Sequence, residues 1–228
     1  MNLAAVIPLK LGADPKQRLA NRLGLRHRRA LQQAMALDVI ATVASLDEVS
    51  ETIVVTDAGS ASEVPGEFGV RVVIEDPSLG VGLNAAVAQV AAELVERKVG
   101  SMLVLHADLP LINGPELQRM IALHVDSGKA GITIAPDRRR DGSNCLLCSP
   151  PQVIPFQYGA GSYARHLHAA KMAGVPSQTF DGEFCALDID EEQDFSELLV
   201  RLDNACAHTQ AVIREFGLDD RRLTQRSE

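Results

Sequence analysis

Short apolar runs at residues 3–8, 52–56, 70–74, 102–106, 131–135 and 143–148 alternate with helix-like stretches, and this constrains the fold more than any other feature. The helix-like stretches lie at 25–44, 83–98, 115–124, 162–173 and 191–202, the third beginning with a proline suited to a first helical turn. The strand-like runs are continuously apolar, as strands buried on both faces are. Strands alternating with helices predict right-handed βαβ crossovers and an α/β domain: a mostly parallel sheet with helices on both faces. A chain of 228 residues, 46% hydrophobic, can fill one such core. The rhythm places the domain at residues 1–202. Residues 203–228 read as a last helix near 204–216 followed by a frayed tail.

Charge and composition exclude several classes. A net charge of −8 argues against general nucleic-acid binding, which needs a basic face. No apolar run approaches the ~20 residues of a membrane span. The chain enters its first strand without a basic n-region, so a cytoplasmic location is expected. Cys145 and Cys148 form a C-x-x-C, but in a strand i and i+3 point to opposite faces, so buried thiols are expected rather than a metal pair. The segment after Leu202 packs either on its own domain or on a partner, which leaves a homodimer open.

Two acidic motifs carry the chemistry. Leu103-Val104-Leu105-His106-Ala107-Asp108-Leu109-Pro110 and Leu187-Asp188-Ile189-Asp190 both read as buried strands delivering carboxylates to the carboxyl edge of the sheet, where open α/β sheets bind ligands. Asp188 and Asp190 alternate, share a face and repel unless a cation joins them. Asp108, Asp188 and Asp190 together suit magnesium, and magnesium usually brings phosphate. The alternatives at this level are that Asp108 caps the following turn and Asp190 caps the helix opening at Glu191.

Three loops could serve a phosphorylated ligand. The first, after the first strand, carries Lys10, Lys16 and Arg18, whose donors match phosphate oxygens; a solvated basic loop is the plain alternative. The second, with Gly80, Gly82 and Asn84, opens a helix, where free N–H groups and an amide meet a base or a phosphate, or merely cap the helix. The third runs Gly159-Ala160-Gly161-Ser162 into a helix with Arg165 and His166; with the turn Asp141-Gly142-Ser143-Asn144 it reads as a nest for a small anion, or as a surface loop. Arg138-Arg139-Arg140 reads as solvated charge, His166 and His168 as a poor metal pair, and Asp38 as the anchor of a buried hydrogen bond.

In order and spacing these motifs resemble one family, the 2-phospho-L-lactate guanylyltransferases of coenzyme F-420 biosynthesis, over residues 3–202. The resemblance rests on Lys10 with Lys16-Gln17-Arg18-Leu19, Gly82-Leu83-Asn84-Ala85-Ala86, Ala107-Asp108-Leu109-Pro110, Ala135-Pro136-Asp137-Arg138, Gly142-Ser143-Asn144, the run from Gly159 to His166, and Leu187-Asp188-Ile189-Asp190. It implies a Rossmann-like nucleotidyltransferase domain of the glycosyltransferase-A type. The implied reaction transfers GMP from GTP to 2-phospholactate, phosphoenolpyruvate or 3-phosphoglycerate and releases pyrophosphate. It implies magnesium on Asp108, Asp188 and Asp190, the triphosphate on Lys10, Lys16 and Arg18, a nucleotide contact at Asn84, and the acceptor on Ser143, Gly159 and Ser162; the loops as read above add Gly82 to the nucleotide site and Asn144, Gly161 and Arg165 to the acceptor site.

Ser143 stands where many members have threonine, Asp141 where glycine is common, Cys145 where a small apolar residue is usual, and Tyr158 for a frequent phenylalanine. A more polar pocket is the expectation, suited to 3-phosphoglycerate with its extra hydroxyl. The competing readings are another sugar-phosphate or cofactor nucleotidyltransferase on the same fold, and a non-catalytic GTP-binding protein.

Overall fold

In β1 (Leu3–Leu9) every residue except Pro8 is buried... as its apolar sequence requires, and the sheet grows outward from it. A computed structural model describes residues 2–219 except 13, 127, 129 and 203–205. The expected tail beyond 219 and the expected helix start at Asn204 lie outside the described residues. With β2 (Glu51–Thr56), β3 (Arg71–Ile74), β4 (Ser101–Leu105), β5 (Gly131–Pro136), β6 (Ser143–Ser149) and β7 (Ser177–Thr179), β1 forms one sheet in the order β3-β2-β1-β4-β6-β5-β7. The β1–β2, β1–β4, β2–β3 and β5–β7 pairs are parallel.

Strand β6 departs from the expected crossover pattern. It pairs antiparallel with both β4 and β5, the latter through a hairpin over residues 137–142. The hairpin needs no helix, and it returns the chain so that Ser143 and Asn144 start at the carboxyl edge of the parallel strands. Strand β7 lies on the outer edge and was not expected; its residues Ser177-Gln178-Thr179 are too short and polar to register as an apolar run.

Helices α1 (Leu25–Ala44) and α3 (Gly114–Asp126) pack on one face, through Ala36, Val39 and Ile40 and through Leu117 and Met120. Helices α2 (Leu83–Glu96) and α4 (Ser162–Ala173) cover the other, through Val87, Val90 and Leu94 and through Ala169 and Ala170. Cys145 belongs to the first face and Cys148 to the second, as strand periodicity requires. No helix among the described residues is long and apolar enough to cross a membrane.

Helices α5 (Glu192–Arg201) and α6 (Ala207–Phe216) bury Phe195, Leu198 and Ile213 against Leu31 and Met35 of α1. Asp38 of α1 accepts the main-chain N–H groups of His208 (2.9 Å) and Thr209 (2.8 Å), two donors the first turn of α6 cannot satisfy internally. The last helix is therefore docked on the domain rather than loose beside it, and Asp38 is the buried anchor expected of it.

Segment 187–190 is not a strand of the sheet. It is extended and touches the end of β4 through Ile189 N–H to Asp108 O, 3.1 Å. The expected alternation survives: Leu187 and Ile189 are buried, Asp188 and Asp190 half-buried. Its anchor is Glu116 of α3, 1% exposed, whose carboxylate accepts the N–H groups of Phe184 (3.0 Å) and Cys185 (2.8 Å). Gly182 makes this possible, because a Cβ there would stand 2.2 Å from Glu116 Oε1.

Candidate active site

The carboxyl ends of β4 and β5 and the start of β6 open onto a cavity of about 600 Å³ lined by Asp108, Asp188, Asp190, Arg18, Arg139 and Asn144 among others. A smaller cavity of about 190 Å³ adjoins it between the first loop and the start of α2, with Lys10, Lys16, Gln32 and Leu83 in its wall. His106 and Asp108 line both.

The structure gathers the three aspartates at the larger cavity, with Lys16 beside two of them. Lys16 Nζ lies 2.5 Å from Asp108 Oδ2 and 2.6 Å from Asp190 Oδ1, with its side chain 7% exposed. Burial works against the ammonium, yet the two carboxylates hold its pKa above the usual lysine value. Burial also works against ionising Asp108, yet Lys16 and His106 hold that carboxyl below the usual range. The backbone at Lys16 is left-handed (φ 50°, ψ 48°), a conformation costing about 1 kcal/mol for a residue with a side chain.

Asp188 differs. Burial, with Asp108 and Asp190 close by, pushes its carboxyl up against the pull of Asn144 Nδ2, 3.2 Å away. Among the described residues no three His, Cys, Asp or Glu side chains already form a metal-ligating group; the ammonium lies between two of the three aspartates. The donor set still fits a hard cation. Asp108 Oδ1 is buried without a hydrogen-bond partner, and Asp188 carries more negative surroundings than its one amide relieves.

The basic loop divides. Lys10 pairs with Glu75 (3.5 Å) at the smaller cavity, and Arg18 pairs with Glu191 (2.9 Å) at the larger. Gly82 and Asn84 line neither cavity. Asn84 is committed to the main chain of Tyr158, accepting its N–H at 2.6 Å and donating to its carbonyl at 3.3 Å. It ties the start of α2 to the glycine loop rather than offering its amide to the cleft.

Of the residues expected to hold an acceptor, Asn144, Gly159 and Ser162 line the larger cavity. Ser143 lies behind them, fully buried against His166 Nδ1 (3.0 Å). Gln157 N–H donates to His166 Nε2 (2.9 Å), so the neutral ring carries its proton on Nδ1 and gives it to Ser143 Oγ. Burial, helped by Arg165 and His106, lowers His166 to about 4. Arg165 points its guanidinium at the carbonyls of Gln157 (2.8 Å) and Tyr158 (3.2 Å) and so braces the loop instead of lining the cavity. The Gly161 N–H is taken by Asp141 Oδ2 at 3.0 Å, so the expected nest already holds an internal carboxylate. Gly159 keeps its backbone at φ 109°, where a side chain would be strained.

Two arginines read as solvated charge in fact line the larger cavity. Arg138 is held by Asp194 and Glu197, and Arg139 Nη2 pairs with Glu191 Oε2 at 2.8 Å. Glu191 therefore bridges Arg18 on one wall and Arg139 on the other. It also caps α5 in a reciprocal box with Asp194, so the cap is Glu191 and not Asp190. The sequence signal was available in the hairpin between two apolar runs, which puts Arg138–Arg140 at the same edge as Asp108. His106 was also overlooked, two residues before Asp108 on the same strand edge.

Comparison with known proteins bears on the family and the fold. Residues 3–225 match the family model described as guanylyl transferase CofC like. The chain is 31% identical over 198 residues to a phosphoenolpyruvate guanylyltransferase of Sphaerobacter thermophilus, covering 87% of this chain and 93% of that protein. It is 33% identical over 195 residues to a 2-phospho-L-lactate guanylyltransferase of Methanoregula boonei, covering 86% and 81%. Among solved structures, a 4-diphosphocytidyl-2C-methyl-D-erythritol synthase superposes with a TM-score of 0.59 at 17% identity, over 88% of this chain and 98% of that one, a likeness of fold.

Proposed function

The chain belongs to the CofC-like guanylyl transferase family and is a nucleotidyltransferase, and we propose that it transfers the guanylyl group of GTP to the phosphate of a small phosphorylated three-carbon acid, in coenzyme F-420 biosynthesis. The observation that carries this reading is the grouping of Asp108, Asp188 and Asp190 on one wall of the larger cavity, with Arg18 and Arg139 also in its lining. Such a cleft suits anionic substrates that arrive with a divalent cation.

In this reading Lys10, Lys16 and Arg18 bind the triphosphate and steady the departing pyrophosphate. Asn144, Gly159 and Ser162 hold the acceptor, with Ser143 and His166 fixing them from behind. Asp108, Asp188 and Asp190 would hold magnesium, which when bound neutralises charge on phosphate oxygens. An acceptor phosphate is already ionised near neutral pH, so the residues chiefly position it for in-line attack on the α-phosphorus. Within the acceptor class, the polar lining from Asp141, Asn144 and Ser162 favours 3-phospho-D-glycerate, whose hydroxyl needs a hydrogen-bond partner that phosphoenolpyruvate does not.

The test supplies GTP or CTP with magnesium and, separately, 3-phosphoglycerate, 2-phospholactate or phosphoenolpyruvate, and follows pyrophosphate. Release with GTP and fastest with 3-phosphoglycerate is expected. Equal turnover of the three acceptors would remove the acceptor preference, and a preference for CTP would remove the donor.

A further inference from the structure

Among the described residues, three of the seven buried side-chain polar atoms without a hydrogen-bond partner belong to residues lining the smaller cavity: Gln32 Oε1, His106 Nε2 and Asp108 Oδ1. Native proteins rarely leave such atoms unpaired, and where they do a ligand or ordered water is the usual partner. Gln32 has its orientation fixed by donation to the Lys10 carbonyl at 3.1 Å. Asp108 has its other oxygen on Lys16. His106 belongs to the walls of both cavities, and its Nε2 has no such partner.

The residue is well placed and well held. Its main-chain N–H donates to Asn144 O (3.0 Å), which fixes the end of β4 against the start of β6. Its ring packs against Tyr158, with centroids 5.6 Å apart. Met102 and Val104 bury toward the α2–α4 face, and the period of two carries His106 to that same side of β4. A nucleotide on the first loop and an acceptor at Asn144, Gly159 and Ser162 would meet where the two cavities adjoin.

We propose that His106 is a catalytic residue of the transfer, donating a hydrogen bond from Nε2–H to a non-bridging oxygen of the α-phosphoryl group as it passes between substrates; this rests on the guanylyl-transfer reading above. In the step, an acceptor phosphate oxygen bonds to the α-phosphorus, the bond from that phosphorus to the bridging oxygen breaks, and the electron pair leaves with pyrophosphate. His106 keeps its proton throughout. A fixed donor at an oxygen that gains charge is a strong form of rate enhancement.

The experiment compares steady-state transfer by the wild type, His106→Phe and His106→Gln, with thermal denaturation of each. Phenylalanine keeps the packing on Tyr158 and removes the donor; glutamine restores a donor. Expected are a fall in kcat of about 10²-fold for His106→Phe with both KM values within about threefold, and recovery of about tenfold of that loss by His106→Gln. Transfer by His106→Phe within about threefold of wild type, or equal loss in both variants, would overturn the assignment while leaving the functional reading intact. A wild type that transfers to no acceptor would overturn both.

Discussion

Lys16 Nζ lies 2.5 Å from Asp108 Oδ2, and through this contact the first loop is tied to the carboxyl edge of the sheet. The same ammonium reaches Asp190, so one lysine is the shared counter-ion of two carboxylates. In Lys16→Met the two acids lose the cation between them. Breaking a buried pair costs about 3–5 kcal/mol, and the 45% exposure of Asp190 reduces this to an expected ~2 kcal/mol, measured by urea denaturation without metal. Added magnesium should restore part of the loss. Unchanged stability in both conditions would show that the lysine is not a counter-ion there.

Two buried histidines set the acid limit of the fold. His166 and His124 both have folded-state pKa values lowered by burial to about 4. The native state therefore binds fewer protons than the unfolded chain between about pH 6.5 and 4. Their contribution is fully present above about 6.5 and lost as the pH falls toward 4, on the order of 2 kcal/mol each. For His166 the loss has a local reading, since a protonated Nε2 cannot accept the N–H of Gln157. Stability measured against pH should fall across this window, and His124→Gln should flatten the slope.

Glu116 positions the 183–190 segment by accepting main-chain N–H groups. Glu116→Ala leaves those donors buried and unpaired, at an expected cost of about 2–3 kcal/mol. Gly182→Ala should do comparable damage, because the new methyl meets Glu116 Oε1 and Phe180 Cε1. Both variants should lose turnover, and Glu116→Gln, which keeps an acceptor, should retain more. Full activity in Glu116→Ala would mean that the aspartates are held by other contacts.

Arg139 lines the larger cavity, pairs with Glu191 and has a side chain 71% exposed, so it can turn to an incoming anion. Removing one charge-assisted hydrogen bond in Arg139→Gln should raise the acceptor KM about tenfold and leave the KM for GTP within about twofold. Arg140, held by Asp181 outside this cavity, serves as the control, and Arg140→Gln should change neither.

Much of this was legible because the physics was local. Strand and helix alternation, the opposite faces of Cys145 and Cys148, and the anchoring role of Asp38 all follow from periodicity and burial. The direction of β6 was not legible, because a strand buried on both faces has the same composition whether its neighbours run parallel or antiparallel. Asp188 and Asp190 alternate as a strand would, yet segment 187–190 is held by Glu116, Asn144 and Asp108 rather than by a ladder. Asn84, Gly161 and Arg165 were expected to face ligands; each is instead bonded to a backbone or side-chain partner that only the tertiary fold brings near. Arg139 was hidden by the overall acidity of the chain, which says nothing about one hairpin.

The most direct measurement compares wild type with Asp108→Asn in GTP, magnesium and 3-phosphoglycerate, following pyrophosphate and product mass, with circular dichroism to check folding. The expected result is acceptor-dependent release and a product heavier by one guanylyl unit in the wild type, and neither in a variant that stays folded. Wild-type turnover by folded Asp108→Asn would contradict the assignment of the carboxylate site, and a wild type that binds GTP without forming the heavier product would contradict guanylyl transfer itself.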